Sequence, residues 1–201
     1  MTSIPEQMPP GMNEFEYLVC DGGPHLVLPR AVSTHWKGMK LLRYILGLTT
    51  DYGRACAAIR DRRLAVIEVG PGQAIVLAGP PMSAWGRSPE GWIDLYYLDD
   101  WSAPSLDLLI KRAVAAVPTH DMTDTGYAIK LTEPDMTLLF AGEQLGETAY
   151  GQFNIPIAVG SYRILEGQYQ KGCYEDRNKD TVIIYRLKPI EAGGSPDPPT
   201  Q

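Results

Sequence analysis

The chain has very little of what metal sites, disulfide scaffolds and acid–base catalysts are built from. Three histidines and three cysteines are spread over 201 residues. Cys20, Cys56 and Cys173 are odd in number and widely spaced. They spell neither a disulfide framework nor a metal knuckle, and a reducing compartment is the expectation. His25, His35 and His120 fall in no HxxxH, HExxH or HxE arrangement, which removes the common zinc-hydrolase patterns. No GxSxG, CxxC or Walker sequence occurs. Basic residues are also in deficit, 18 Lys and Arg against 24 Asp and Glu, for a formal net charge of -6. With no basic patch, nucleic acid and anionic membrane are excluded as expected partners, whereas a basic protein would be attracted. No run approaches the ~18 apolar residues of a membrane span. The segment Met1–Gly11 has neither the cationic start nor the apolar run of a secretory signal. The expectation is a cytoplasmic protein without metal or cofactor.

What is present points to strands. Seventeen prolines and twenty glycines imply many turns, and hydrophobic residues at 44% suffice for a substantial core. The run Leu64–Val69, the turn Gly70-Pro71-Gly72 and the run Gln73–Leu77 form the clearest hairpin signal. A strand follows that turn, so it offers a phosphate no helix N-terminus. Further strands are expected at Tyr17–Cys20, His25–Leu28, Gly91–Trp101, Tyr127–Leu131, Met136–Phe140, Phe153–Ile157, Tyr162–Leu165 and Thr181–Leu187, with Pro156 marking an edge or bulge. Trp85 to Glu90 reads as loop. Ser102 to Val117 carries Leu106, Leu109, Ile110, Ala113, Val114 and Val117 at helical spacing, and Pro118 stops it. Weaker helical signals lie at Val32–Leu48 and at Asp51–Ala58, the latter with Asp51 as its N-cap. The fold class is therefore α+β, β-rich, with mainly antiparallel sheets and one or two helices. Residues 14–190 are expected to form a single domain of two β-rich halves, about 14–101 and 119–190, joined by helix 102–117, with too few identities between them to claim a repeat. Residues 1–13 and 191–201 are expected to be disordered.

Candidate chemistry is sparse. Arg54 before Cys56 could lower a thiol pKa, but Ala55-Cys56-Ala57-Ala58 reads as a buried helix face. The pairs Asp99/Asp100 and Glu175/Asp176 are sequence neighbours whose side chains point apart, unlike a glycosidase acid and base. His120 with Asp121 and Asp124 could build a hydrolase only with help from distant loops. The strongest site signal is Gly91–Trp101. At strand period, Ile93, Leu95 and Tyr97 take one face, and Trp92, Asp94 and Tyr96 the other, with Asp99, Asp100 and Trp101 following. Either helix 102–117 covers the second face, or the face is open and binds a protein through rings flanked by acids. The second reading makes Trp92, Asp94, Tyr96, Asp99, Asp100 and Trp101 the expected grip.

Several separated pieces together resemble one family. Gly22-Gly23-Pro24, then Leu26-Val27-Leu28-Pro29 and Trp36, resemble its N-terminal signature. Asp51-Tyr52-Gly53-Arg54-Ala55-Cys56 resembles its second motif. The hairpin with Gly72, Ala74, Val76 and Leu77, leading to Pro80, Pro81 and Trp85, resembles its third. Leu138-Leu139-Phe140-Ala141 and Gly160-Ser161-Tyr162 resemble its C-terminal half. Together they are similar to the immunity protein 21 family of bacterial polymorphic toxin systems, from about Tyr17 to Leu187. The resemblance implies a non-enzymatic protein that binds and neutralises a cognate toxin by occluding its active site, protecting the producing cell. It also implies that Gly22, Gly23, Pro24, Trp36, Asp51, Tyr52, Arg54 and Cys56 act structurally. Net acidity suits a basic toxin such as a nuclease. The competing expectation is a β-rich regulatory domain holding a small molecule in an apolar pocket between the halves.

Overall fold

The computed structural model describes residues 15–19, 22–39, 49–79, 82–100, 105–146, 149–171 and 180–191. Most of both expected disordered termini, the second part of the Val32–Leu48 stripe, Glu175/Asp176, Cys20, Cys173 and Trp101 lie outside the described residues. The strands are β1 (Glu16–Val19), β2 (His25–Pro29), β3 (Leu64–Val69), β4 (Gly72–Leu77), β5 (Met82–Arg87), β6 (Ile93–Asp100), β7 (Thr123–Leu131), β8 (Met136–Phe140), β9 (Gln152–Ile155), β10 (Gly160–Lys171) and β11 (Asp180–Pro189). The helices are α1 (Asp51–Ala58) and α2 (Leu106–Ala116), with single 3-10 segments at Arg30–His35 and Thr119–Asp121. Two antiparallel sheets result, six strands ordered β1-β5-β6-β11-β10-β7 and five ordered β3-β4-β2-β8-β9. The fold is α+β and β-rich. No helix among the described residues is long and apolar enough to cross a membrane.

Three layers of contact hold these elements together. Val27, Ile75, Leu77, Leu95, Leu138, Ile164 and Ile183 fill the space between the sheets. The outer face of the five-stranded sheet, with Leu26, Leu28, Val76 and Leu139, is covered by Val32, Trp36 and Ala55. The outer face of the six-stranded sheet, with Ala84, Tyr96, Leu98 and Ile184, is covered by Leu109, Ile110 and Ala113 of α2. The molecule is thus a four-layer α/β/β/α sandwich. Burying each large α2 side chain stabilises it by about 1.5–3 kcal/mol relative to exposure. Central strands buried on both faces read as continuous apolar runs such as Met136-Thr-Leu-Leu-Phe140, so alternation is weak where packing is tightest.

Several local expectations change. The Val32–Leu48 stripe begins as the 3-10 turn Arg30–His35 and leaves it extended through Trp36, with Gly38 at φ +55. Thr50, not Asp51, caps α1, its Oγ1 accepting from the Gly53 N–H at 3.0 Å. Asp51 instead accepts from the Lys37 N–H at 2.8 Å and pairs with Arg54 at 3.0 Å. Ser105 caps α2, and the described helix starts at Leu106 rather than Ser102. Met82–Arg87, partly read as loop, is strand β5, between β1 and β6. Gly86 within it carries no side chain because the rings of Phe15 and Tyr96 occupy the space a Cβ would need, at 2.8 and 3.1 Å. The turn Glu133-Pro134-Asp135 leads from β7 in one sheet to β8 in the other.

Each sheet draws on both halves of the chain. β1, β5 and β6 meet β11, β10 and β7 across the β6–β11 ladder, and β3, β4 and β2 meet β8 and β9 across β2–β8. Read from either edge, the six-stranded order runs first strand, fourth or fifth, last strand of its half. The halves are therefore joined through two central antiparallel ladders as well as through α2.

Candidate functional site

The ring-and-acid strand is largely interior, which corrects the open-face expectation. Asp94 and Tyr96 are both 0% exposed, because α2 covers the face on which they lie. Tyr96 packs edge-on against Phe15 at 5.6 Å, and burial, with the Asp94 charge, pushes its hydroxyl pKa up. Trp92 precedes β6, half-buried, with the Lys188 ammonium 5.6 Å from its ring centroid. Asp99 and Asp100 end β6, and nothing is described of their side chains. The six residues do not form one open surface.

Asp94 belongs to a buried ion cluster. Arg186 faces it directly across the β6–β11 ladder and donates two hydrogen bonds, Nε to Oδ1 and Nη2 to Oδ2, each 2.7 Å. Arg186 Nη1 also donates to Thr119 Oγ1 and lies 3.4 Å from Glu90 Oε2. Thr119 Oγ1 donates in turn to Glu90 Oε1 at 2.6 Å. Burial pushes the Asp94 carboxyl up, against the pull of the Arg186 hydrogen bonds and charge. Glu90 is held below the ordinary range, chiefly by the Thr119 hydrogen bond. Burial opposes charge on Arg186, yet the hydrogen bonds and charge of Asp94 hold its pKa above the ordinary value. The fork geometry is the strong, bidentate kind, and it ties the two halves at the centre of the sheet.

The residues implied as structural by the resemblance converge on one corner. Trp36 is 1% exposed, and its Nε1 donates to the Ala141 carbonyl at 3.0 Å. The Pro24 carbonyl accepts from the Ala141 N–H at 2.9 Å, the Met39 N–H reaches Gly142 O at 2.8 Å, and the Tyr52 N–H reaches Gly38 O at 3.3 Å. Gly23 sits at φ +102, where a Cβ would fall 2.7 Å from the Tyr52 hydroxyl and 2.9 Å from the Phe140 ring. Gly22, also at positive φ, starts the same turn. Arg54 bridges Asp51 and the Glu68 carbonyl, the latter at 2.6 Å. Cys56 is a free, half-buried thiol; Ala55, not Cys56, enters the core. Sequence spacing could not show that positions 22–24, 36–39, 51–54 and 140–142 share one knot.

Above this knot the surface is apolar. Tyr52, Phe140 and Tyr150 form a ladder of tilted rings, 5.8 and 4.9 Å between centroids. Met39, Leu145 and Tyr150 are 44%, 42% and 39% exposed, all attached to segment 140–150. Glu143, buried within that segment, accepts from the Tyr150 N–H at 3.1 Å.

A second feature lies at the same end of the five-stranded sheet, where Leu64, Leu77, His25 and Phe140 form one row. It is a cleft of about 280 Å³ lined by Arg62, Arg63, Leu64, Thr123, Asp124, Thr125, Tyr127 and Glu166. The expected apolar pocket between halves is not this cleft, whose walls are mostly charged or hydroxylated. Asp124 is held by Arg163 at 3.0 Å and by the Gly126 N–H at 2.9 Å. His120 and Asp121 lie 3.5 Å apart on an exposed turn. Among the described residues no group of three His, Cys, Asp or Glu could hold a metal ion. In the same row, His25 Nδ1 lies 2.7 Å from Ser83 Oγ, both buried, linking the sheets. Burial lowers the His25 pKa to about 3.

The chain matches no protein-family model, no curated protein and no solved structure. Fold and site therefore define a class by geometry alone: a four-layer sandwich with a hydrogen-bonded, apolar, partly exposed corner.

Proposed function

We propose that this chain works by covering another protein and, following the resemblance of its motifs to the immunity protein 21 family, that the partner is a cognate bacterial toxin. The carrying observation is the corner where the separated motifs meet. Met39, Leu145 and Tyr150 stand exposed there on a base fixed by main-chain hydrogen bonds to the carbonyls of Pro24, Gly38 and Gly142. Large apolar groups left open on a rigid support suit a binding anchor, since little order must be gained on association. The net charge of -6 favours a basic partner through faster encounter.

The test uses the C-terminal domain encoded by the adjoining reading frame. The two purified proteins are expected to co-elute, and the chain to suppress that domain's toxicity. Leu145→Ala with Tyr150→Ala is expected to weaken binding by about 30-fold or more, equivalent to roughly 2 kcal/mol at a hot spot, with the urea midpoint little changed. Absence of binding by the unaltered chain overturns the reading. Full binding by a folded double variant removes this corner from it.

A further inference from the structure

We propose that the cleft beside β3 and β7 is a binding site for a small ammonium–carboxylate zwitterion, of which a free α-amino acid is the simplest. The inference is independent of the toxin reading and rests on how the charges in the cleft are arranged.

Glu166 is an unusual residue for its place. It continues the inward-facing series Tyr162, Ile164 on β10 and stands directly opposite Tyr185 on β11, whose ring lies in the inter-sheet core. The neighbouring Gly167 faces the other way, toward Val117 and Met122. A carboxylate is therefore aimed from the inner face of a sheet into the open mouth of the sandwich. Among the described residues it has no ion-pair partner within 4.0 Å, and its polar neighbour is the Tyr185 hydroxyl. That hydroxyl belongs to a residue 0% exposed, and burial, with the Glu166 carboxylate beside it, pushes its pKa up.

The opposite wall is cationic. Arg62 is set in place by donating from Nη1 to the Tyr127 hydroxyl at 2.7 Å. Arg63 begins the approach to β3, and its guanidinium has no ion-pair or hydrogen-bond partner among the described residues. Asp124, the second acid of the lining, is already engaged by Arg163. The cleft thus offers a guanidinium and an inward carboxylate that have no ion-pair partner among the described residues, with a buried hydroxyl beside the latter.

This arrangement discriminates by charge. A simple anion such as phosphate would gain Arg62 and Arg63 but would face Glu166 and Asp124. A simple cation would gain Glu166 but would face two guanidiniums. A ligand with a carboxylate toward Arg63 and an ammonium toward Glu166 satisfies both walls, and the fork of Arg suits a carboxylate. A volume of about 280 Å³ is enough for an amino acid and small for a nucleotide. Leu64 and the Tyr127 ring are the apolar groups available to its side chain.

The experiment is calorimetric titration of the full chain with glycine, L-alanine, L-threonine and L-leucine, repeated with their N-acetyl and methyl-ester forms. Saturable binding of at least one free amino acid is expected, weakened tenfold or more when either end is blocked. Arg63→Ala and Glu166→Gln are each expected to weaken it tenfold or more. Arg63 is exposed, so its variant keeps the test valid even if Glu166→Gln disturbs the fold. Binding of the N-acetyl form as tight as the free form would show a plain carboxylate site and overturn the proposal. So would titrations without saturable heat for all four, or affinity unchanged in the folded Arg63→Ala protein.

Discussion

At the scale of single residues, two buried polar groups set how the protein responds to mutation and to acid. Asp94→Ala leaves Arg186 charged and without its bidentate partner at 1% exposure. Breaking a buried pair from one side costs about 3–5 kcal/mol, an effect a urea midpoint would register. The double replacement Asp94→Leu, Arg186→Met is expected to recover most of that loss, since the uncompensated charge is gone. His25 gives a pH dependence of definite sign. Its folded pKa is about 3, against an ordinary value of 6.5, so between those values only the unfolded chain takes up the proton. Stability is fully present above about pH 6.5 and falls by up to ~1.4 kcal/mol per unit as pH drops toward 3. His25→Asn is expected to flatten the measured slope over pH 4–6.5; an unchanged slope would assign it to other groups. Neither role was legible in sequence. Asp94 looked like a rim acid because its partner lies 92 positions away, and one histidine in an apolar run carries no mark of its depth.

At the scale of elements, legibility followed the strength of local signals. The β3–β4 hairpin appears with its turn where Gly70-Pro71-Gly72 placed it, and α2 with its stripe of Leu106, Leu109, Ile110 and Ala113 buried. Leu109→Ala is expected to cost roughly 2–5 kcal/mol, measurable by denaturation, while Leu108→Ala, exposed on the same helix, should cost far less. Thr50→Ala should cost about 1 kcal/mol through loss of the α1 cap; Asp51→Ala in the same assay separates that from the Arg54 pairing. β5 was hidden because Gly86 leaves room for the rings of Phe15 and Tyr96 and Ser83 meets the buried His25, requirements set by tertiary packing and not by strand propensity. The face carried by Trp92, Asp94 and Tyr96 was misjudged for the same reason. A period-2 pattern says which residues share a side, but not what lies on it.

At the scale of the molecule, the antiparallel β-rich class was readable from turns and composition, but the interleaving of halves was not. Neither half closes a sheet alone: residues 15–100 would leave β6 and β2 with open ladders where β11 and β8 belong. That segment expressed by itself is expected to lack cooperative unfolding and the amide protection of β6, as hydrogen exchange would show. The corner of Trp36, Gly38, Tyr52 and Ala141 is likewise a property of the assembled chain. Gly38→Ala would set a methyl 2.3 Å from the Gly142 carbonyl at a positive φ, and is expected to loosen segment 140–150 and any contact made through Tyr150. The cleft was missed because Arg62, Arg63 and Glu166 are ordinary surface residues until a sheet edge brings them together.

The central position of β11 has a further consequence for synthesis on the ribosome. A nascent chain elongated to residue 171 holds ten of the eleven described strands, yet the place of β11 between β6 and β10 is still unfilled. Translation at about 5–20 residues per second takes roughly one to four seconds to add the residues through β11, and the closing contacts between β6 and β11 are far apart in sequence, the kind that form slowly. A chain lacking β11 is therefore expected to expose the ladder edges of β6 and β10 and to be prone to pairing with other strands.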